Sequence, residues 1–228
     1  MSDSLPFASD AGVHGSLAGL RSDYRRGDLH EQDLLADPMA QFALWMTEAR
    51  VLHVPGTDEP HAMTLATADE HGAPSARTVL LKGVDARGFT WFTNYESRKG
   101  RELRSNPKAA LNFRWGILER QVAVTGSVTR VDEAESDEYF ASRPLGSRIG
   151  AVVSAQSEVV SREELEAAAA ALAAHPESLI VRPLHWGGYR LAPDSIEFWQ
   201  GRVSRLHDRI RFRRESPESV WIVERLSP

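Results

Sequence analysis

Arg98, Lys99, Arg101 and Arg104 crowd into the eight residues Ser97–Arg104, with Glu102 as the one acid among them. A strand pattern ends near Asn94, Ser97 is placed to cap a helix, and a helical pattern follows. Cations at a helix start face the positive end of the macrodipole, which repels them. An anion on the free N–H groups of that turn reverses the sign, because Arg and Lys then add charge-assisted hydrogen bonds to it. A phosphate is the simplest such anion. The competing reading is a solvated basic turn balanced by Glu96 and Glu102.

Three more cationic stretches could do related chemistry. In RTVLLKG (77–83), an extended chain puts Arg77, Val79 and Leu81 on one face and Thr78, Leu80 and Lys82 on the other. In YFASRPLGSRIG (139–150), Tyr139 and Arg143 lie four apart near a helix end, with Ser147 beyond the Pro144 break. Two hydroxyls and a guanidinium there can converge on a second anion, although a cation closing a helix is the commoner reason for such a pattern. In FWQGRVSRLHDRIRFRR (198–214), six arginines from Arg202 to Arg214 face one acid, Asp208. Extended, Arg205, His207, Arg209, Arg211 and Arg213 share a face opposite Leu206, Ile210 and Phe212. A basic strand near Trp199 points toward nucleic acid, but the chain carries a formal net charge of -5 and few interleaved aromatics. A small anionic ligand needs only a local positive patch, and that reading is preferred.

Other chemistry is hard to find. There is no cysteine, which excludes disulfides, thiolate metal sites and cysteine nucleophiles and fits a cytoplasmic protein. His53, His61, His71, His175 and His185 show no ligand spacing such as HExxH, no metal site is expected, and His185 in HWGGYR reads as structural. G-x-S-x-G, Walker A and G-x-G-x-x-G are absent. MSDSLPFASD has neither the basic nor the apolar part of a secretory signal, and no apolar run approaches a membrane span, so no membrane partner is expected.

The elements that must position these groups are mostly strands. Residues 1–34 read as a flexible arm and 35–228 as one domain. Asp37-Pro38 opens a helix whose apolar face is Met39, Phe42, Trp45, Met46 and Ala49. Strand patterns follow at 62–68, 75–84, 89–94, 108–115 and 119–131, with a short helix at 97–105 between the third and fourth. Asp132 with Glu135, and Ser161 with Glu164, start helices running to about Ser142 and Ala174. After Pro183, GGYRLA, SIEFWQG, HDRIRFRR and SVWIVERL all read as strands. About eight strands joined by tight turns predict a mainly β, antiparallel barrel or sandwich with peripheral helices.

Taken together and in order, RTVLLKG, FTNYESRKGREL, ERQVAVTG, YFASRP, AQSE, HWGGYR and IEFWQGRVSRLHDR resemble the pyridoxamine 5'-phosphate oxidases from about Asp37 to Pro228. The resemblance implies an antiparallel Greek-key split barrel that works as a homodimer, with FMN at the subunit interface. It implies that Arg98, Lys99 and Arg77 bind the FMN phosphate. Thr78, Val79, Leu80, Leu81, Lys82, Phe92, Thr93, Gln121, Gln156 and Ser157 would line the flavin, with Trp199 and Arg209 reaching it from the partner. Lys82, Tyr139, Arg143 and Ser147 match the family's substrate-phosphate grip. Arg205, Leu206 and His207 match the segment over the substrate ring, with Arg205 and His207 as candidate catalytic residues. The implied reaction oxidises the 4'-aminomethyl or 4'-hydroxymethyl group of a phosphorylated pyridine to pyridoxal 5'-phosphate. A hydride equivalent goes to flavin N5, and dioxygen leaves as hydrogen peroxide.

Three residues depart from the family's common pattern: Leu145, Arg148 and Val152 stand where Arg, Gln and Trp are usual. They bear on the substrate end, so a related flavin oxidase of the phenazine-biosynthesis type is one alternative. A flavin- or nucleic-acid-binding module without catalysis is another.

Overall fold

The computed structural model of the chain describes residues 23–57 and 59–228. Helix α1 (Pro38–Val51) begins as its sequence predicts: Asp37 caps it by accepting from Met39 N at 3.0 Å, and Pro38 fills the first helical position. Met39, Phe42, Trp45 and Ala49 are buried and Met46 is half-buried. Phe42 meets Phe89 and Phe113 edge-on at 4.9 Å each, and Trp45 meets Phe198 at 5.1 Å. The helix thus seats on the aromatic interior of a sheet.

That sheet has nine strands: β1 (Ala62–Ala68), β2 (Pro74–Leu80), β3 (Gly83–Asp85), β4 (Gly88–Asn94), β5 (Lys108–Trp115), β6 (Arg120–Arg130), β7 (Trp186–Gln200), β8 (Asp208–Arg213) and β9 (Ile222–Arg225). Every pairing is antiparallel, in the order β2-β1-β5-β6-β7-β4-β3, with β8 and β9 extending from the far half of β7. This is the split barrel. Its seam is closed by two successive residues: Leu81 N donates to His61 O at 2.9 Å and Lys82 N to Thr90 O at 2.8 Å. The single strand expected at 75–84 is therefore two, because the chain leaves β1 and joins β4 at that step.

A second difference is β7. GGYRLA and SIEFWQG form one strand through Pro193. Proline is tolerated because β4 pairs only as far as Leu191 and β8 begins at Ser195, while a register shift at Thr125/Gly126 absorbs the irregularity on β6. Helices α2 (Arg98–Ser105), α3 (Glu133–Ser142) and α5 (Arg162–Ala173) form where their caps predict. Asp132 caps α3, but Glu135 turns to Arg190, 2.7 Å away, instead of completing the box. Helix α4 (Leu145–Val153) is not predicted, since Gly146 and Gly150 lower its propensity.

Of the expected arm, residues 1–22 lie outside the described residues. Residues 23–34 are tied down. Leu29 is buried and its N–H donates to Asp208 at 3.0 Å; Arg225 bonds Leu29 O and Glu31; and Arg25 N and Arg26 N donate to Glu119 at 2.7 and 2.9 Å. Buried Asp208 draws the main chain of this part onto β8. Among the described residues, no helix is long and apolar enough to cross a membrane.

Candidate active site

Lys99 sits in the first turn of α2 with its side chain folded back against the end of β4. Its Nζ donates to Gln156 Oε1 at 2.9 Å and to Thr93 Oγ1 and Ser97 Oγ at 3.2 Å. Burial, then the Arg77 charge, lowers its pKa to about 8. Beneath it lies Glu102, which is 5% exposed. Its carboxylate accepts from Ser75 Oγ at 2.6 Å, from Thr67 Oγ1, from Arg98 Nε at 2.9 Å and from Arg77 at 3.4 Å. Burial alone would raise the Glu102 pKa, but bonds from Ser75, Thr67 and Arg98 and the Arg77 charge outweigh it and hold the value at about 2. Glu102 therefore orients two guanidiniums at once.

These groups open onto one cavity of about 840 Å³. Arg77, Lys82, Arg98, Lys99 and Arg143 line it, and no Asp or Glu does. Glu102, which lies outside the lining, balances one of these five charges, so the cavity keeps a positive excess in a chain of net charge -5. Thr78, Val79, Leu80, Phe92, Thr93, Gln156, Ser157, Tyr139 and Ser147 line it as well. Tyr139 stacks on Phe92 at 4.0 Å, and the Arg143 guanidinium lies 4.7 Å over Trp186. Burial raises the Tyr139 pKa and lowers that of Arg143, whose Nη1 is buried with no hydrogen-bond partner among the described residues. A buried guanidinium N–H without an acceptor can receive one from a ligand or water in the cavity. Helix α4 turns Ser147, Gly150, Ala151 and, just past its end, Ser154 to the cavity. Leu145, Arg148 and Val152 do not line it; Arg148 pairs instead with Glu177.

At the start of α2, Arg98 N donates to Ser157 Oγ at 3.1 Å and Gly100 N to Ser97 Oγ at 3.4 Å, so two of the helix-start amides already have side-chain acceptors. Ser157 is held in a left-handed conformation, φ 79°, to do this. Arg101 and Arg104 pair with Glu158 and Glu96 and do not line the cavity. The Leu81 side chain belongs to the core at 8% exposure and does not line the cavity.

Gln121, Trp199, Arg205, Leu206, His207 and Arg209 do not line this cavity. Strand register sets Gln121 opposite Trp199 and Trp199 opposite Arg209, a row across β6, β7 and β8. His207 packs on Trp199 at 4.6 Å, and Glu197 holds Arg209 at 2.8 Å. Trp199 lies on the same strand as the cavity residue Trp186 but thirteen positions further on. At about 3.3 Å per residue that is roughly 40 Å of chain, so within one chain the two groups stand apart. The basic face read at 205–213 is interrupted: Arg205 belongs to a turn, while Arg209, Arg211 and Arg213 are each paired with Glu197 or Glu224. Ser75, Glu102, Asn94, Ser154 and Trp186 were missed by sequence reasoning. Only Glu102 left a signal, four residues after Arg98. His185 is structural, its Nε2 3.3 Å from Ala151 O.

Comparison with known proteins gives consistent findings. Residues 53–177 match the family model described as pyridoxamine 5'-phosphate oxidase. Residues 186–228 match that of the pyridoxine 5'-phosphate oxidase C-terminal dimerisation region. The chain is 56% identical over 213 residues to a pyridoxine/pyridoxamine 5'-phosphate oxidase of Bordetella avium, covering 93% of this chain and 100% of the relative. The protein of the same name from Cupriavidus necator is 57% identical, covering 93% and 99%. Among solved structures, PhzG from Burkholderia lata 383 in complex with tetrahydrophenazine-1-carboxylic acid aligns with TM-score 0.79 and 33% identity, covering 88% and 98%. A pyridoxamine 5'-phosphate oxidase-related, FMN-binding protein from Nostoc punctiforme, 17% identical with TM-score 0.65 over 85% and 99%, shares the fold.

Proposed function

The chain belongs to the pyridoxamine 5'-phosphate oxidase family, and from that premise we propose that it is an FMN-dependent oxidase converting pyridoxine and pyridoxamine 5'-phosphates to pyridoxal 5'-phosphate. The observation that carries this reading is the acid-free cavity lined by five cations, in two groups. Arg77, Arg98 and Lys99, steadied by Glu102 and Gln156, suit the phosphate of FMN. Lys82, Tyr139, Arg143 and Ser147 suit the phosphate of the substrate, and the unpartnered Arg143 Nη1 fits that use.

Held by Arg77, Arg98 and Lys99, FMN would supply the redox chemistry, a net removal of two electrons and two protons from the substrate at C4' and its heteroatom that reduces dioxygen to hydrogen peroxide. For the amine, water supplies the aldehyde oxygen and ammonia leaves. The protein's own work is positioning. The phosphate groups fix the substrate's tail, and the wall of Phe92, Tyr139 and Trp186 excludes water from one side. Arg205, always protonated, stabilises negative charge on the ring. Since Arg205, His207, Trp199 and Arg209 belong to the remote half-site, the working enzyme is a homodimer in which each cavity is completed by the partner's 199–209 segment.

Purified protein should be yellow and should release peroxide with pyridoxine 5'-phosphate and with pyridoxamine 5'-phosphate. FMN-loaded protein that releases none with either would refute the reading. The likeness to PhzG favours a second reading, oxidation of a tricyclic acid. Peroxide release with a dihydrophenazine carboxylic acid but not with the vitamers would select it.

A further inference from the structure

His207 stands at the base of the loop from Gly201 to Asp208. The loop turns sharply: Ser204 and Arg205 are both left-handed, φ 57° and 60°, although neither is glycine. A bond across its base closes it, in which Arg202 N donates to His207 Nδ1 at 3.0 Å. Trp199 packs on the imidazole at 4.6 Å and Tyr24 meets it edge-on at 5.6 Å. The neighbouring carboxylate, Asp208, is taken by Leu29 N, Arg225 and Arg202.

A main-chain N–H can only donate, so the nitrogen that receives it must present a lone pair. An imidazolium has none on either nitrogen. The bond therefore requires a neutral ring whose one proton sits on Nε2. The charged and titratable groups around the ring are Arg202 and Arg205 on the loop, Asp208 on β8 and Tyr24 on the N-terminal segment. Burial, then the Arg205 charge, lowers the His207 pKa, and Asp208 opposes them. Chemistry and geometry thus agree.

We propose that His207 is a tautomer-locked hydrogen-bond donor. What this loop offers a ligand is Nε2–H, not a basic nitrogen, and the feature it recognises is an acceptor, an oxygen or a lone-pair nitrogen on the ring it covers. The positioning group is the Arg202 main-chain N–H. The inference rests on the proposed oxidase reading for the identity of the ligand and on the loop alone for the tautomer.

The test is ¹⁵N NMR of histidine-labelled, FMN-loaded protein, with the His207 signals assigned by their loss in His207→Gln. The Nε2–H tautomer is expected from pH 8 downward, with a midpoint below the ordinary 6.5. An Nδ1–H tautomer, or a midpoint at or above 6.5, overturns the proposal. A kinetic arm follows. His207→Ala should lose about 10–100-fold in kcat/KM, while His207→Gln, whose amide N–H stands in for Nε2–H, should lose less. Equal losses in the two variants also overturn it. The spectrum needs no turnover, so a protein inactive on both vitamers that still shows Nε2–H would sink the functional reading alone.

Discussion

Lys99 poses a titration problem that its surroundings answer. Its amine has a folded pKa of about 8 against 10.5 for an unperturbed lysine, so the fold binds fewer protons than the unfolded chain between those values. Without a ligand, that makes stability rise as pH increases from about 8 to 10.5. A bound phosphate needs the charged amine, so FMN affinity should fall across the same window. Flavin fluorescence quenching against pH measures the second trend and thermal melts of the apoprotein the first. In Lys99→Met both trends should disappear. Replacing Arg98 and Lys99 together with alanine should weaken FMN binding by roughly 1.5–3 kcal/mol for each lost charge-assisted bond, with an unchanged far-ultraviolet dichroism spectrum. Glu102→Ala belongs to another class. It leaves Arg77, Ser75 and Thr67 without their shared acceptor and should cost about 3 kcal/mol of stability, read by urea denaturation. Wild-type stability from this carboxylate is fully present above 4.5 and is lost as pH falls toward 2.

Elements carry a different kind of constraint. Gly187 on β7 has no room for a side chain, because a Cβ would run into the Tyr95 hydroxyl, the stiff end of a ring fixed by Gly188 O at 3.2 Å. Gly187→Ala should cost about 1–3 kcal/mol, seen as a lowered melting temperature, and should shift Trp186 at the cavity wall. Much at this scale was legible in the sequence. Asp37-Pro38, Ser97, Asp132 and Ser161 announced their helices because capping is a local matter. The kink at Leu81–Lys82 was not legible, since it depends on which neighbour each amide finds, and His61 and Thr90 lie far off in sequence. Pro193 looked like a break because its tolerance depends on where β4 stops and β8 starts. Helix α4 was hidden by its glycines, Gly146 and Gly150, although a Cβ at either would meet only open space. Glu102 was taken as surface balance because charge counting cannot see burial.

At the scale of the whole molecule, the candidate residues fall into two sets that no single chain brings together. Lys82→Ala damages one half-site and Arg205→Ala the other, so each variant should be inactive alone. Mixed under conditions of subunit exchange, the two should recover about a quarter of wild-type activity, because half the dimers carry one intact centre of two. Mixed dimers that form but stay silent would mean each chain works alone. The family likeness told which residues belong together, whereas the fold sets them apart on one chain. Strand β7 spans both sets, from Trp186 at one end to Trp199 at the other, and it is hydrogen-bonded along its length to β6. In the proposed dimer it acts as a gauge shared by both catalytic centres. Inserting two residues near its middle would keep every side chain on its own face yet lengthen the gauge by about 7 Å. Two sound barrels would then meet with both centres out of alignment.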